Sequence, residues 1–208
     1  MIRGNKQERI SVDKKLRKTG LIFVVSGPSG SGKTTLVQGV LTAKKLKNKF
    51  ARSVSFTTRP KRPGEKEGQD YFFVSGPEFK AEVKAKKILE WTRYLGYYYG
   101  TPKDFVDRQL KRLKNLFFCI DLRGARNIKR LYPDSTVTIF IRPGSLKDLP
   151  LRIRKRCKGT REKEIKSRLR LAKKEVLAAK TFDHQLVNKD LKEALKELKN
   201  IVLEHTST

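Results

Sequence analysis

Short continuous apolar runs alternate along this chain with longer stretches in which apolar residues recur every three or four positions. The first run, Leu21-Ile22-Phe23-Val24-Val25, is rich in β-branched and aromatic side chains. A strand covered on both faces, as in a parallel sheet, has that composition. Similar runs over 116–120 and 137–141, and a weaker one over 185–187, predict three further strands. Between them Leu36, Val37, Val40 and Leu41 share one face of a helix predicted over 34–45. Helical spacing returns over 104–113, 123–131, 163–179 and 190–204. Strand–helix alternation implies βαβ units, hence an α/β fold with a parallel sheet flanked by helices.

Two regions depart from the pattern. Residues 53–99 are richer in Tyr, Phe, Thr, Gly and Pro, with strand-like pieces over 71–74 and 88–95, and predict an inserted subdomain of mixed β/α type. Residues 151–170 are very basic and are interrupted by Cys157-Lys158-Gly159-Thr160, which predicts two helices around a flexible hinge. The expected division is a unit over 20–205 whose core spans 20–52, 102–150 and 171–205, with insertions over 53–101 and 151–170. Residues 1–19 form a basic extension, expected to be poorly ordered or loosely docked.

With 208 residues the chain fits one globular unit. Fifty basic residues against 21 acidic give a net charge of +29, which attracts polyanions. Surplus lysine on solvated helix faces accounts for most of this charge, and no zinc-finger spacing, RNP1-like string or basic zipper directs it to nucleic acid. Cys119 and Cys157 form no CxxC pair, and with two histidines they suggest no metal cluster. No apolar run approaches the roughly 20 residues of a membrane helix. The N-terminal stretch lacks the apolar segment of a secretory signal, and Glu8 and Asp13 count against a transit peptide. A reduced, cytoplasmic location is the expectation.

The chemistry begins after the first strand. Gly27-Pro28-Ser29-Gly30-Ser31-Gly32-Lys33-Thr34 fits the phosphate-loop pattern G-x-x-x-x-G-K-[ST], with a strand predicted before it and a helix after it. Glycines let successive backbone N–H groups turn toward phosphate oxygens, and the helix N-terminus adds its dipole to the same anion. Lys33 is expected to reach the β- and γ-phosphates and the Thr34 hydroxyl to ligate Mg2+. The ATP-binding set extends to Thr35. The motif indicates a nucleoside triphosphate but not what receives its phosphoryl group.

The stretch from Ser55 to Tyr71 sets Arg59 and Arg62 three apart around a proline, followed by a tyrosine. Two guanidinium forks and a phenol make a clamp for a dianionic phosphate; two solvated arginines in a polar loop are the alternative. Here the sequence resembles guanylate kinases. Residues 55–73 fit S-x-T-T-R-x-x-R-x-G-E-x-x-G-x-x-Y-x-F throughout. Leu89-Glu90-Trp91, Tyr98-Tyr99-Gly100-Thr101 and Ile120-Asp121-x-x-Gly124 follow in the family's order, and the resemblance runs from about Gly20 to Leu203.

That resemblance implies a P-loop kinase moving the γ-phosphoryl group of ATP to GMP with Mg2+. It makes 53–101 the GMP-binding insertion and 151–170 a lid. Arg59, Arg62, Tyr71 and Tyr99 would hold the GMP phosphate, and Ser55, Glu90, Thr101 and Asp121 would read the guanine. An ionised Glu90 only accepts hydrogen bonds, which suits the N1–H and N2–H2 donors of guanine and not the N1 acceptor of adenine. Without the resemblance, Glu90 beside Trp91 reads as a strand residue at a sheet edge. Arg152 and Arg156 resemble the lid's R-x-x-x-R; Arg168, with Ala172 and Glu175, resembles its returning helix. Lys33 and these three arginines form the expected catalytic set, with Arg161 and Arg170 as alternatives. Asn188 stands where the family has an Asn near the adenine.

Three positions differ from the family pattern: Cys119 replaces an acidic residue two before Asp121, Lys189 replaces the acid after Asn188, and 157–161 fits only with a gap. Cys119 makes the metal rest on Thr34, phosphates and water, or is a small buried hydrophobe. A scaffold that kept the fold and lost catalysis is a competing reading, against which the intact Gly32, Lys33 and Thr34 weigh. A nucleic-acid-binding role for the +29 charge is another.

Overall fold

The computed structural model describes residues 19–46, 48–156 and 162–207. The expected extension over 1–19, apart from Thr19, and the expected hinge over 157–160 lie outside them. Five parallel strands form the main sheet: β1 (Ile22–Ser26), β2 (Phe50–Arg52), β7 (Asn115–Cys119), β8 (Thr136–Pro143) and β9 (His184–Asn188), in the order β2-β7-β1-β8-β9. Each neighbouring pair is parallel, so the α/β reading holds. All five β1 residues are buried, and alternate residues serve opposite faces. Phe23 and Val25 join Leu36, Val37 and Val40 of α1 (Lys33–Leu41) and Leu198 and Val202 of α7 (Leu191–Thr206). Ile22 and Val24 join Val106 and Leu110 of α3 (Lys103–Lys111) and Ile128 of α4 (Leu122–Leu131). A continuous apolar run is thus what a strand between two helical layers requires.

The second sheet has four strands in the order β4-β3-β6-β5, made of β3 (Phe56–Thr57), β4 (Phe72–Phe73), β5 (Ile88–Tyr94) and β6 (Tyr97–Pro102). β5 and β6 form an antiparallel hairpin whose two linking residues, Leu95 (φ 52°) and Gly96 (φ 89°), both take the left-handed conformation. That is the geometry of a tight turn matched to strand twist. Of the elements in this region, only β4 and β5 coincide with the strand-like pieces of the sequence.

β2 and β3 span three and two residues, too few for any periodicity to register. Helix α2 (Gly76–Lys84) buries only Phe79, so it has almost no apolar stripe. Its signal was local: Ser75 and Glu78 form a capping box with Pro77 in the first turn. Helix α1 stops at Leu41 rather than 45, and turns over 43–46 swing Leu46 into the core.

The basic segment is helical on both sides of residues 157–161, as α5 (Leu149–Arg156) and α6 (Glu162–Leu177). Leu149, Ile153, Ile165 and Ala172 pack these helices together in a small core of their own. Among the described residues, no helix is long and apolar enough to cross a membrane.

Candidate active site

The chain leaves β1 at the point where connections diverge to opposite sides of the sheet, β7 lying on one side and β8 on the other. In open α/β sheets a crevice opens at such a point, beyond the carboxyl ends of the strands. Residues 27–32 curl there. Gly32 caps α1 with φ 94° and no side-chain cap, leaving the helix's first N–H groups facing outward. A Cβ at Gly32 would lie 2.2 Å from Nδ2 of Asn188. Asn188 is buried and donates from Nδ2 to the Ser31 carbonyl at 2.8 Å, so it holds the loop from behind and does not line the cleft. The Lys33 ammonium donates to the carbonyls of Gly27 (2.6 Å) and Pro28 (3.0 Å), at the mouth of the loop.

One cleft joins this loop to the second sheet. Gly27, Ser29, Lys33 and Thr34 line one side; Ser55, Arg59, Arg62, Tyr71, Glu90 and Tyr99 line the other. Asp121 and Arg168 lie on its wall. Residues that are far apart in sequence therefore meet, and Arg59 and Arg62 face the same space as Lys33. Pro28, Gly30, Ser31 and Gly32 contribute the loop's own backbone, while Thr35 is exposed on α1. Arg152 is half-buried and lies outside the cleft lining, with its Cβ beside Gly30. The Arg156 side chain lies outside the described part of the structure, as does Arg161.

Arg59 is 5% exposed, yet it is a fixed cation. Its Nη2 donates to both oxygens of Glu65 at 2.8 and 2.9 Å, and Nη1 donates to the Pro60 carbonyl at 2.6 Å. The guanidinium also stands over the rings of Tyr71 (5.3 Å) and Phe73 (5.7 Å). Burial alone would lower its pKa, but Tyr99, Glu65 and Tyr71 together hold it above the ordinary value. Glu65 is the partner that sequence reasoning did not single out, although it lies within the matched string.

Glu90 has the opposite character. Its Oε1 accepts from the Thr101 hydroxyl at 2.7 Å, whereas Oε2 is buried with no hydrogen-bond partner among the described residues. Thr101 is fully buried, so it supports the carboxylate and does not face the cleft itself. Desolvation raises the Glu90 pKa to about 7, opposed by the Thr101 bond and assisted by the charge of Asp121. A Cβ on Gly124 would come within 3.1 Å of Oε2, so glycine there keeps space beside the carboxylate.

Asp121 is already committed on two sides. Oδ1 caps α4 by accepting from Arg123 N and Gly124 N, each at 2.9 Å, and Oδ2 accepts from the Thr92 hydroxyl at 2.6 Å. The cap was missed because the family string drew attention to base recognition, although Asp immediately before a helix is an N-cap signal. Arg168 reaches the loop from α6, with Nη1 3.4 Å from the Ser29 hydroxyl.

Residues 19–205 match the family model for guanylate kinase. The chain belongs to the guanylate kinase family. It is 39% identical to a guanylate kinase of Mycoplasma genitalium over 98% of this chain and 83% of that one. It is 42% identical to one from Thermotoga maritima, over 88% and 86% of the two chains. Among solved structures, a guanylate kinase from Anaplasma phagocytophilum superimposes with a TM-score of 0.72 at 28% identity, covering 92% of this chain and 89% of that one. Within this guanylate kinase framework, further residues line the cleft, among them Ser53, Thr92, Tyr94 and Glu175. Glu175 had appeared in the sequence only as a mark of the returning helix. Tyr94 carried no signal beyond strand-like hydrophobicity.

Proposed function

We propose that this chain transfers the γ-phosphoryl group of ATP to GMP, giving ADP and GDP. The observation that carries the reading is a single cleft in which Lys33 of the phosphate loop faces Arg59 and Arg62, with an unpartnered Glu90 oxygen buried in the same wall. Two anionic groups brought to opposite sides of that cleft would meet between these cations. ATP phosphates lie on the loop amides and Lys33. The GMP phosphate lies on Arg59, Arg62, Tyr71 and Tyr99, and the guanine N1–H and N2–H2 donate to Glu90. Ser55 and Asp121 line the base end, while Thr101 fixes the carboxylate that reads it.

An oxygen of the GMP phosphate forms the new bond to the γ-phosphorus as the bond to the bridging oxygen of ATP breaks, and ADP leaves with that electron pair. The attacking oxygen is already anionic, so no proton need be removed. The work of the protein is alignment and charge neutralisation. Lys33, Arg152, Arg156 and Arg168 supply the positive charge, and closure of α5 and α6 excludes water. The functional division is then a core over 20–52, 102–150 and 171–205, an acceptor unit over 53–101 and a lid over 151–170. Asn188 acts as a brace of the loop.

The donor set fits Mg2+ carried with ATP. Thr34 offers one hydroxyl to the cleft, and the described residues contain no cluster of three His, Cys, Asp or Glu side chains. Mg2+ suits such a site because it retains several waters and binds phosphate oxygens. When bound it neutralises charge on the β- and γ-phosphates. Such an enzyme works in the cytoplasm on free nucleotides.

A coupled ADP-release assay with GMP, AMP, UMP and CMP tests the proposal, with Lys33→Met and Glu90→Ala as controls. Turnover with GMP alone is expected. Equal rates on AMP and GMP would remove the guanine assignment.

A further inference from the structure

The inner face of the β5–β6 hairpin carries two threonine–carboxylate bonds. Glu90 and Thr92 are two apart on β5, so they project from the same face. Both are buried, at 7% and 4% exposure, and both line the cleft. Their cross-strand partners on β6 are Thr101 and Tyr99. The Thr101 hydroxyl donates to Glu90 Oε1 at 2.7 Å, within the sheet. The Thr92 hydroxyl reaches out of it and donates to Asp121 Oδ2 at 2.6 Å. Asp121 stands at the head of α4, where its Oδ1 accepts from the N–H groups of Arg123 and Gly124.

Gly124 brings the two carboxylates to one place. Its N is 2.9 Å from Asp121 Oδ1, and a Cβ built on it would lie 3.1 Å from Glu90 Oε2. Oε2 is the buried oxygen without a hydrogen-bond partner among the described residues. One free oxygen cannot serve every donor of a guanine. N1–H and one hydrogen of N2 point along the same edge, and the other N2 hydrogen points away from it. That hydrogen needs a second acceptor beside Glu90, and Asp121 is the other carboxylate at this glycine. Three donated hydrogen bonds fix the plane of Asp121. One of them, from Thr92, comes from the strand that carries Glu90.

We propose that Thr92 is a positioning residue for base recognition: its hydroxyl orients Asp121 to accept from the 2-amino group of the purine. The inference rests on the GMP kinase reading and adds to it the residue that sets the preference for a 2-aminopurine. Without that hydroxyl, Asp121 Oδ2 faces a buried site with no donor, and only the bonds to α4 hold the carboxylate. The loss falls on binding of the base and not on phosphoryl transfer, since the acceptor phosphate lies on Arg59 and Arg62.

The test compares Thr92→Val and Thr92→Ser with wild type in the full chain. Calorimetric titration gives Kd for GMP and for inosine monophosphate (IMP), which differs from GMP only in lacking the 2-amino group. Turnover of GMP and melting temperatures are read in parallel. Valine has the shape of threonine without the hydroxyl, and serine keeps the hydroxyl. Thr92→Val should raise Kd for GMP about tenfold and leave Kd for IMP within about twofold of wild type. Its kcat on GMP should stay within about threefold. Thr92→Ser should keep the wild-type preference for GMP over IMP. Added to Asp121→Asn, Thr92→Val should cost less than it does alone, because both changes act on one hydrogen bond.

An unchanged ratio of the two dissociation constants in Thr92→Val, whether both weaken or neither does, would overturn the proposal. A lower melting temperature with that ratio unchanged would show the bond to be structural only, and overturns it too. Should Thr92→Val not fold, Thr92→Ala decides by the same ratio. A wild-type protein that turns over AMP as fast as GMP would instead sink the underlying reading, and the positioning role with it.

Discussion

The main sheet and the smaller sheet differ in what their buried positions are made of. In β1 every residue is apolar or small and sits between two helical layers. In β5 the alternation puts Glu90 and Thr92 inside and Trp91 and Arg93 outside. Buried residues in and around the smaller sheet include Thr57, Arg59, Glu90, Thr92 and Thr101, all polar or charged. A buried polar group is stable only with a partner. Arg59 has Glu65 and Thr101 has Glu90, but one oxygen of Glu90 and the hydroxyl of Ser53 have none among the described residues. The main sheet also leaves the hydroxyls of Ser26 and Thr136 without a partner among the described residues, but the smaller sheet leaves a carboxylate oxygen, the stronger acceptor for a ligand.

The sharpest way to separate scaffold from chemistry is Lys33→Met. It should lower kcat by about a thousandfold, since it removes a cation from the developing charge. The melting temperature should stay near that of wild type, because the ammonium lies at the cleft and donates to the loop carbonyls of Gly27 and Pro28 rather than to the core. A matching collapse of stability, followed by circular dichroism, would make the loss structural.

Phe117→Ala asks the reverse question of the main sheet. The ring is fully buried and packs against Phe23 (5.5 Å) and Phe50 (5.3 Å). The substitution should cost about 3–5 kcal/mol in urea unfolding. A cost under about 1 kcal/mol would mean that this sheet is not the stability core.

Glu90→Gln should cut kcat/KM for GMP by about a hundredfold and narrow the gap between GMP and AMP. The pH dependence sharpens the point. Guanine donors need the carboxylate, and its pKa is about 7 in the protein. KM for GMP should therefore climb as pH falls below about 7, toward tenfold per unit.

Stability runs the other way, because the folded carboxyl holds its proton more tightly than the unfolded one at 4.5. Its contribution is full below 4.5 and is lost as pH rises to about 7, a change of at most about 3 kcal/mol. Glu90→Gln should flatten that slope. An unaltered slope in urea titrations at several pH values would remove Glu90 as its source.

The smallest effect belongs to the outer face of the smaller sheet. Trp91 is 45% exposed, with its ring edge toward Phe79 and Tyr98. Trp91→Ala should cost about 1 kcal/mol or less and leave kcat unchanged. A larger loss of stability would mean that this face packs as tightly as the main core.

Legibility in the sequence followed the same division. The strands over 116–120 and 137–141 were found within a residue or two of β7 and β8, because burial on both faces writes an apolar run. The phosphate loop was legible because its geometry demands glycine and lysine at fixed spacing. The acceptor side was legible only as a family string. β2, β3 and α2 left almost no hydrophobic signature, since each has a single buried residue. Asn188 also braces the Ser31 carbonyl, a relation spanning 157 positions that no local pattern encodes.

The sequence by itself determined the α/β class, the anion-binding loop and the identity of the groups available to two phosphates and a purine. Backbone conformation and residue chemistry are local properties, and short strings carry them. Only the tertiary structure decided which oxygen of Glu90 is left unpartnered, that Asp121 also caps α4, and that Asn188 reaches the Ser31 carbonyl. Burial and pairing depend on chain segments more than 80 residues apart packing against one another, as where the Leu21 N–H donates to Asn115 Oδ1, 94 positions on.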